Sequence, residues 1–230
     1  NKAGVWAIFD SGNIHMNGGT LRVNDSMTLP GYRTIWLAGN GGTFEVPHGE
    51  TLNINGYITS EYSHVTTANG FDAANHIGGA DQPASDRNPD IGDLHIAGGG
   101  TVAFRYDPND NGSADSNMAY TYGGITWIDE GILSIQGVGS SGANALGTHR
   151  SFLDGTIIGD EGTLNLSYVS SDPTMYEWIT MGGNGYLGGG AISTGASFTT
   201  GRTARLSGQL FVESDTLIYN RNNTLRLNEN

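Results

Sequence analysis

The sequence contains no cysteine, which excludes a disulfide framework, a thiolate metal site and a cysteine nucleophile. Positive charge is scarce: 10 Lys and Arg stand against 23 Asp and Glu, for a formal net charge of −13. The cations are scattered singly, so no basic patch is available to neutralise phosphates, and no nucleic-acid partner is expected. An acidic membrane surface would also repel such a chain. No apolar run approaches the ~18 residues of a membrane span, so this segment is expected not to insert. There are only 6 prolines and no strict G-x-y period, which rules out collagen. Charged residues make up 14%, too few for typical disorder. Helix signals are nearly absent, because no window sustains an apolar i, i+3, i+4, i+7 pattern with caps. The sequence starts at Asn1 without Met or signal peptide, and so reads as a processed or excised segment with any export signal upstream.

Glycine is abundant at 37 residues, and it is spaced between short strand-like phrases rather than pooled. The phrases are "GTLRV" (Gly19 to Val23), "GTFEV" (Gly42 to Val46), "ETLNING" (Glu50 to Gly56) and "GTVAF" (Gly100 to Phe104). They continue with "GILSI" (Gly131 to Ile135), "GTIIG" (Gly155 to Gly159), "GTLNL" (Gly162 to Leu166) and "NTLRL" (Asn223 to Leu227). Period-2 alternation sets Leu, Ile, Val and Phe on one face of each phrase. Arg22, Glu45, Asn53, Ala103, Ser134, Asn165 and Arg226 fall on the other. The leading glycine suits a corner that a bulkier residue could not turn. The following threonine is expected to stack on its equivalents with its hydroxyl at a wet corner.

Two all-β architectures could use such phrases. A sandwich or antiparallel barrel needs even strand spacing of about 8–12 residues and two-residue hairpins. Candidate "NGG" turns exist at Asn17 to Gly19 and Asn40 to Gly42, but the spacing is irregular and long polar insertions interrupt it. A solenoid stacks each turn ~4.8 Å from the last and throws insertions out at its corners. The pattern therefore favours a right-handed parallel β-helix of about 20–25 residues per coil and about ten rungs. One such domain is expected over residues 1–230, with corner insertions near 60–93 and 106–118.

The middle of the sequence resembles the autotransporter-associated β-strand repeat of bacterial secreted and surface-attached proteins. The matching elements are "LHIAGGGTVAF" (Leu94 to Phe104), "NMAYTYGGITWIDEGILSIQ" (Asn117 to Gln136) and "NALG" (Asn144 to Gly147). Within them Tyr122-Gly123-Gly124-Ile125-Thr126, Glu130-Gly131-Ile132-Leu133 and Ala145-Leu146-Gly147 fill the family's places, and Gly39 to Thr59 is similar to the rungs that precede such a unit. About half of the chain is covered. The resemblance implies a right-handed β-helix exposed outside a bacterial cell, as a stalk, adhesin or passenger, and it supplies no catalytic residues. The sequence departs from the family pattern at two insertions, Tyr106 to Met118 and Tyr62 to Asp90.

The first insertion carries the most chemical-looking spacing. Asp107, Asn109, Asn111, Ser113 and Asp115 follow the first nine positions of a calcium loop, with Gly112 at the turn. The bidentate Glu of the twelfth position is replaced by Met118, and flanking helices are lacking. Calcium is the one candidate cofactor; the competing reading is a solvated acidic turn. A second acidic excursion, Asp81 to Asp93, mixes proline with aspartate and reads as a loop, with a metal site there the lesser alternative. His15, His48, His64, His76, His95 and His149 never fall at zinc-ligand spacing, and His95 is expected to point outward from a strand. Asp129-Glu130 and Asp160-Glu161 repeat one "D-E-G" phrase. Carboxylates on neighbouring rungs could form a glycosidase pair about 5 Å apart, although a repeated corner is a poor candidate for a unique site. Trp36, Trp127 and Trp178 are expected to pack in the core or along edges, with sugar stacking the alternative. No role is assigned to the glycine-rich run from Gly182 to Gly195.

The expected function is thus an extracellular structural or adhesive β-solenoid segment of a bacterial surface protein, stalk or fibre, and not an enzyme. The alternative is a polysaccharide-binding or polysaccharide-cleaving β-helix. The expected partners are copies of the chain or adjoining rungs joined end to end, and surface glycans. Val5, Trp6 and Ile8 in the opening strand-like run, with Leu225 and Leu227 in the closing one, are the candidate assembly residues, because exposed strand edges invite another strand.

Overall fold

A computed structural model describes residues 14–31, 33–56, 58–60, 66–67, 70–71, 92–105, 122–136, 146, 155–167, 174–195, 203–220 and 224–227. Among them the regular structure is strand throughout, apart from one 3-10 turn at Tyr186–Gly188. The strands are β1 (Ile14–Met16), β2 (Gly19–Arg22), β3 (Met27–Leu29), β4 (Ile35–Leu37), β5 (Gly42–Glu45), β6 (Thr51–Ile54) and β7 (Ile58–Ser60). After the short pair β8 (Thr66–Thr67) and β9 (Gly70–Phe71) come β10 (Leu94–Ala97), β11 (Thr101–Phe104), β12 (Thr126–Ile135) and β13 (Thr156–Leu166). The remainder are β14 (Thr174–Met175), β15 (Ile179–Gly183), β16 (Ile192–Thr194), β17 (Thr203–Leu206), β18 (Leu210–Thr216), β19 (Ile218–Tyr219) and β20 (Thr224–Leu227).

The strands pair in parallel, the β8–β9 hairpin being antiparallel. One 12-stranded sheet holds the ladder β2-β5-β10-β12-β13-β15-β18. A second ladder runs β3-β6-β11, continues along the C-terminal halves of β12 and β13, and passes on to β16 and β19. The long strands β12 and β13 belong to both ladders and join them. Two three-stranded sheets stand beside this one, β1-β4-β7 and β14-β17-β20. Parallel neighbours cannot be joined by a tight hairpin, so each pairing requires the chain to travel away and return.

The return distance varies widely. Ile14 pairs with Ile35, Gly42 with Leu94, and Leu94 with Thr126, so several passes are longer than the about 20–25 residues expected from repeat lengths. Among the described residues the main ladder holds seven strands.

Alternation within the phrases places the core. Leu21, Phe44, Ile96, Ile128, Ile158 and Met181 lie in register along one column. A second column runs through Leu52, Val102, Leu133, Leu164 and Ile192, all fully buried. Each such side chain removed from water contributes about 1.5–3 kcal/mol before entropy is counted. The inward assignment of Leu133 and Leu164 agrees with the alternation of their phrases.

Threonines do stack, Thr20 on Thr43, Thr51 on Thr101 and Thr126 on Thr156. The last pair departs from expectation: both residues are buried, not at a wet corner. Their hydroxyls are satisfied internally, Thr126 Oγ1 against the Tyr122 hydroxyl at 2.6 Å and Thr156 Oγ1 donating to Glu177 Oε1 at 2.9 Å. Ser134 is likewise buried although alternation turns it away from the leucines. It belongs to a row with Asn53, Ala103, Asn165 and Ser193, polar at every place but Ala103. Along that row Asn165 Nδ2 donates to Ser193 Oγ at 2.7 Å and Gln136 Nε2 to Ser134 Oγ at 3.1 Å.

Candidate acidic cleft

The two Asp-Glu-Gly phrases fall on neighbouring strands at the corner where the two ladders meet. Ile128 pairs with Ile158 and Glu130 with Glu161, so Asp129 alone stands opposite Gly159 and Asp160. This is a bulge, a local extra residue that bends a strand and re-aims side chains. Gly131 completes the corner at φ 91°. A Cβ there would lie 2.6 Å from the carbonyl oxygen of Gly100, so a side chain is excluded by both backbone angle and space.

The corner opens into a cleft of about 830 Å³ lined by Glu130, Asp160, Glu161 and Asp215 together with His48, Tyr186 and Ser214. One wall is the glycine-rich run to which the sequence assigned no role. Its 3-10 turn is pinned from below: Tyr186 N donates to Thr163 Oγ1 at 2.8 Å, and that hydroxyl donates to Gly190 O at 2.9 Å. Leu187 follows in the left-handed region at φ 50° and is 78% exposed. The Tyr186 ring meets His48 edge to face, with centroids 6.0 Å apart. A Cβ on Gly99 would lie 3.0 Å from the Tyr186 hydroxyl and 3.1 Å from Glu130 Oε1. The absent side chain at Gly99 leaves both polar groups room at the mouth. Ser214 Oγ accepts from Gly183 N at 3.0 Å and fixes the opposite rim.

The carboxylates of Glu130 and Glu161 project from positions about 4.8 Å apart along the ladder. Among the described residues no group of three or more His, Asp or Glu is arranged to hold a metal ion. What the cleft offers is negative charge, hydrogen-bond acceptors, a phenol and an imidazole beside an exposed aliphatic side chain.

The described tryptophans, Trp36, Trp127 and Trp178, are half-buried rather than part of the core. Trp36 and Trp127 are half-buried and turned away from the leucine columns. Each stacks on the histidine of the adjacent strand, Trp36 on His15 at 5.5 Å and Trp127 on His95 at 5.7 Å. One face of each indole is therefore occupied by a neighbour. Trp178 contacts Phe211 with ring centroids 5.9 Å apart. His95 points outward as expected, and its Nδ1 lies 2.8 Å from Asp129 Oδ2. Asp93 accepts from Ile125 N at 2.9 Å and from Trp127 Nε1 at 3.3 Å, a structural use of the end of the Asp81 to Asp93 excursion.

Asp107, Asn109, Asn111, Ser113 and Asp115 lie outside the described residues, as do Val5, Trp6 and Ile8. Leu225 and Leu227 lie in β20, paired with Ala204 and Leu206 of β17. No family model matches the chain, nor does any curated protein or solved structure. No helix among the described residues is long and apolar enough to cross a membrane.

Proposed function

We propose that the chain is a right-handed parallel β-helix with a mechanical and adhesive role outside a bacterial cell, as a segment of a surface protein, stalk or fibre. The observation that carries this reading is the seven-strand parallel ladder from β2 to β18, whose inward apolar column continues without a polar break from Leu21 to Met181. In this reading the two three-stranded sheets are parts of a third face of the same coil. The right hand follows from the strong preference of parallel crossover connections for that sense. The resemblance to the autotransporter-associated repeat supports the extracellular setting. Small-angle scattering on the purified chain is the test: a rod with a constant small cross-section is expected, and a compact profile would end the reading.

The acidic cleft favours a second reading, a polysaccharide-binding or polysaccharide-cleaving β-helix. Glu130 and Glu161 are register partners on adjacent strands and both line the cleft, the arrangement from which a close, retaining-type carboxylate pair could be built, and Tyr186 and His48 supply an aromatic wall. Incubation with a panel of oligosaccharides, with titration calorimetry and reducing-end release as readouts, separates the two readings. Binding that is lost in Glu130→Gln and Asp160→Asn supports the second. Heats and product release at buffer level across the panel leave the mechanical role alone.

A further inference from the structure

Asn-Gly steps are prone to self-modification, because glycine has no side chain to keep its own amide nitrogen from the preceding carboxamide. Among the described residues such steps occur at Asn17-Gly18, Asn40-Gly41, Asn55-Gly56 and Asn184-Gly185. The first three are held. Asn17 Oδ1 accepts from Asn40 Nδ2 at 2.8 Å and from Asn40 N at 3.1 Å, which ties both carboxamides together on neighbouring passes of the chain. The nitrogens that would attack are engaged as well, Gly18 N donating to Gly41 O at 2.7 Å and Gly41 N to Ala38 O at 2.7 Å. Asn55 is buried at 5% exposure, with its backbone N donating to Leu29 O at 3.0 Å.

Asn184-Gly185 differs on each count. Asn184 is exposed, and its carboxamide makes no hydrogen bond among the described residues. Gly185 N likewise donates to no described residue. The carbonyls on either side are fixed, Asn184 O accepting from Gly190 N at 2.7 Å and Gly185 O from Gly188 N at 3.0 Å. Gly185 is required by the fold: it lies at φ 75°, and a Cβ there would stand 2.1 Å from Gly190 O.

We propose that Asn184-Gly185 is a site of uncatalysed self-modification, which turns a neutral residue of the acidic cleft into a carboxylate. Gly185 N gives up its proton to solvent base and attacks Asn184 Cγ. The N–Cγ bond forms, the Cγ–Nδ2 bond breaks, and the nitrogen leaves as ammonia after taking a proton from solvent. Water then opens the succinimide ring. Attack at Cγ gives aspartate, and attack at the backbone carbonyl carbon of Asn184 gives isoaspartate, whose backbone is longer by a methylene. The net change is carboxamide plus water to carboxylate plus ammonium, with no oxidant or reductant required. Either product stands with Glu130, Asp160, Glu161 and Asp215, which line the same cleft as Asn184. Isoaspartate also lengthens the chain just ahead of the turn that Tyr186 N pins on Thr163 Oγ1. The negative charge of the cleft therefore rises with the age of the molecule, under either reading of what the cleft does.

Peptide mass mapping of the native 230-residue chain, aged in mildly alkaline buffer at physiological temperature, tests this, with the chain in denaturant as reference. A hydrogen bond that must be broken to free the attacking nitrogen is worth up to about a tenfold change in rate. Asn184 should convert about tenfold faster than Asn17 and Asn40 in the native chain, and faster than buried Asn55, whereas all should convert at similar rates in denaturant. Isoaspartate-specific methylation should label the modified peptide. Asn184→Gln, whose longer side chain closes its ring far more slowly, should abolish conversion at this position and leave the other steps unchanged. An Asn184 that stays intact in the native chain while the denatured chain converts overturns the proposal. So does an Asn17, Asn40 or Asn55 that keeps pace with it, or conversion to aspartate without isoaspartate, which is direct hydrolysis and not ring closure.

Discussion

Glu130 stands opposite Glu161 in the parallel ladder between β12 and β13, immediately after the one place where that ladder loses register. The extra residue of β13 lets Asp160 turn toward the cleft while both glutamates remain paired across the strands. Like charges directly opposite on neighbouring strands repel, so this corner is held against its own electrostatics by the buried columns on either side.

Glu161→Gln should therefore raise stability by about 0.2–1 kcal/mol, the size of a cross-strand pair effect. Added salt should stabilise the wild type by a similar route and the variant less, because screening weakens the same repulsion. Urea unfolding at low and moderate ionic strength measures both. An unchanged midpoint in the variant would mean that the two carboxylates splay far enough into solvent not to interact.

Removing an inward side chain should be far more costly. Leu133→Ala and Leu164→Ala should each destabilise by about 2–5 kcal/mol through lost burial and the cavity left behind. Because the two leucines are register partners, their effects should not add. Ser134→Ala should cost less, about 0.5–1.5 kcal/mol, for lost hydrogen bonding. If the serine outweighs the leucines in chemical denaturation, the inward face has been assigned to the wrong set of residues.

Glycine substitutions separate corner geometry from strand propensity. Gly131→Ala forces a side chain onto a residue at φ 91° and against the Gly100 carbonyl, and should cost at least about 1–3 kcal/mol. Gly19→Ala, where nothing lies within 4 Å of the new Cβ, should be neutral or stabilise by about 0.4–1 kcal/mol through the unfolded chain. Equal effects at the two positions in thermal melts would remove the steric account of the corner.

Calcium is tested by mass action on the melting temperature. If Asp107, Asn109, Asn111, Ser113 and Asp115 bind the ion, excess calcium should raise the melting temperature and EDTA should lower it. The double substitution Asp107→Ala/Asp115→Ala should abolish the response. A response that survives it would move any bound calcium elsewhere.

Much of the strand arrangement is legible from the residues alone. The phrases around Phe44, Leu52, Val102, Leu133 and Leu164 declare their inward face because alternate side chains on a strand must point to opposite sides. The cleft is not legible in this way. Asp129-Glu130 and Asp160-Glu161 look like two copies of one turn, and Tyr186 sits in a glycine-rich run whose period points nowhere. His48, Ser214 and Asp215 carry no spacing signal at all, since they approach the corner from strands and turns far apart in sequence. The density of glycine between Gly182 and Gly195 was the available hint, marking a backbone that packs closely and turns sharply.

The sequence by itself determined the all-β class, the inward and outward residues of most phrases and the absence of cysteine chemistry, because these depend on composition and on a backbone period of two. Tertiary structure alone decided which phrase lies on which. Lengthening a loop adds little closure entropy, so the chain between paired strands is free to vary from the interval between Ile14 and Ile35 to that between Gly42 and Leu94. Strand register is set instead by the fit of buried side chains on their neighbours. That fit brings Glu130 opposite Glu161, buries Ser134 on a face that alternation turns outward, and leaves Val212 exposed where every earlier member of its column is covered or half-covered.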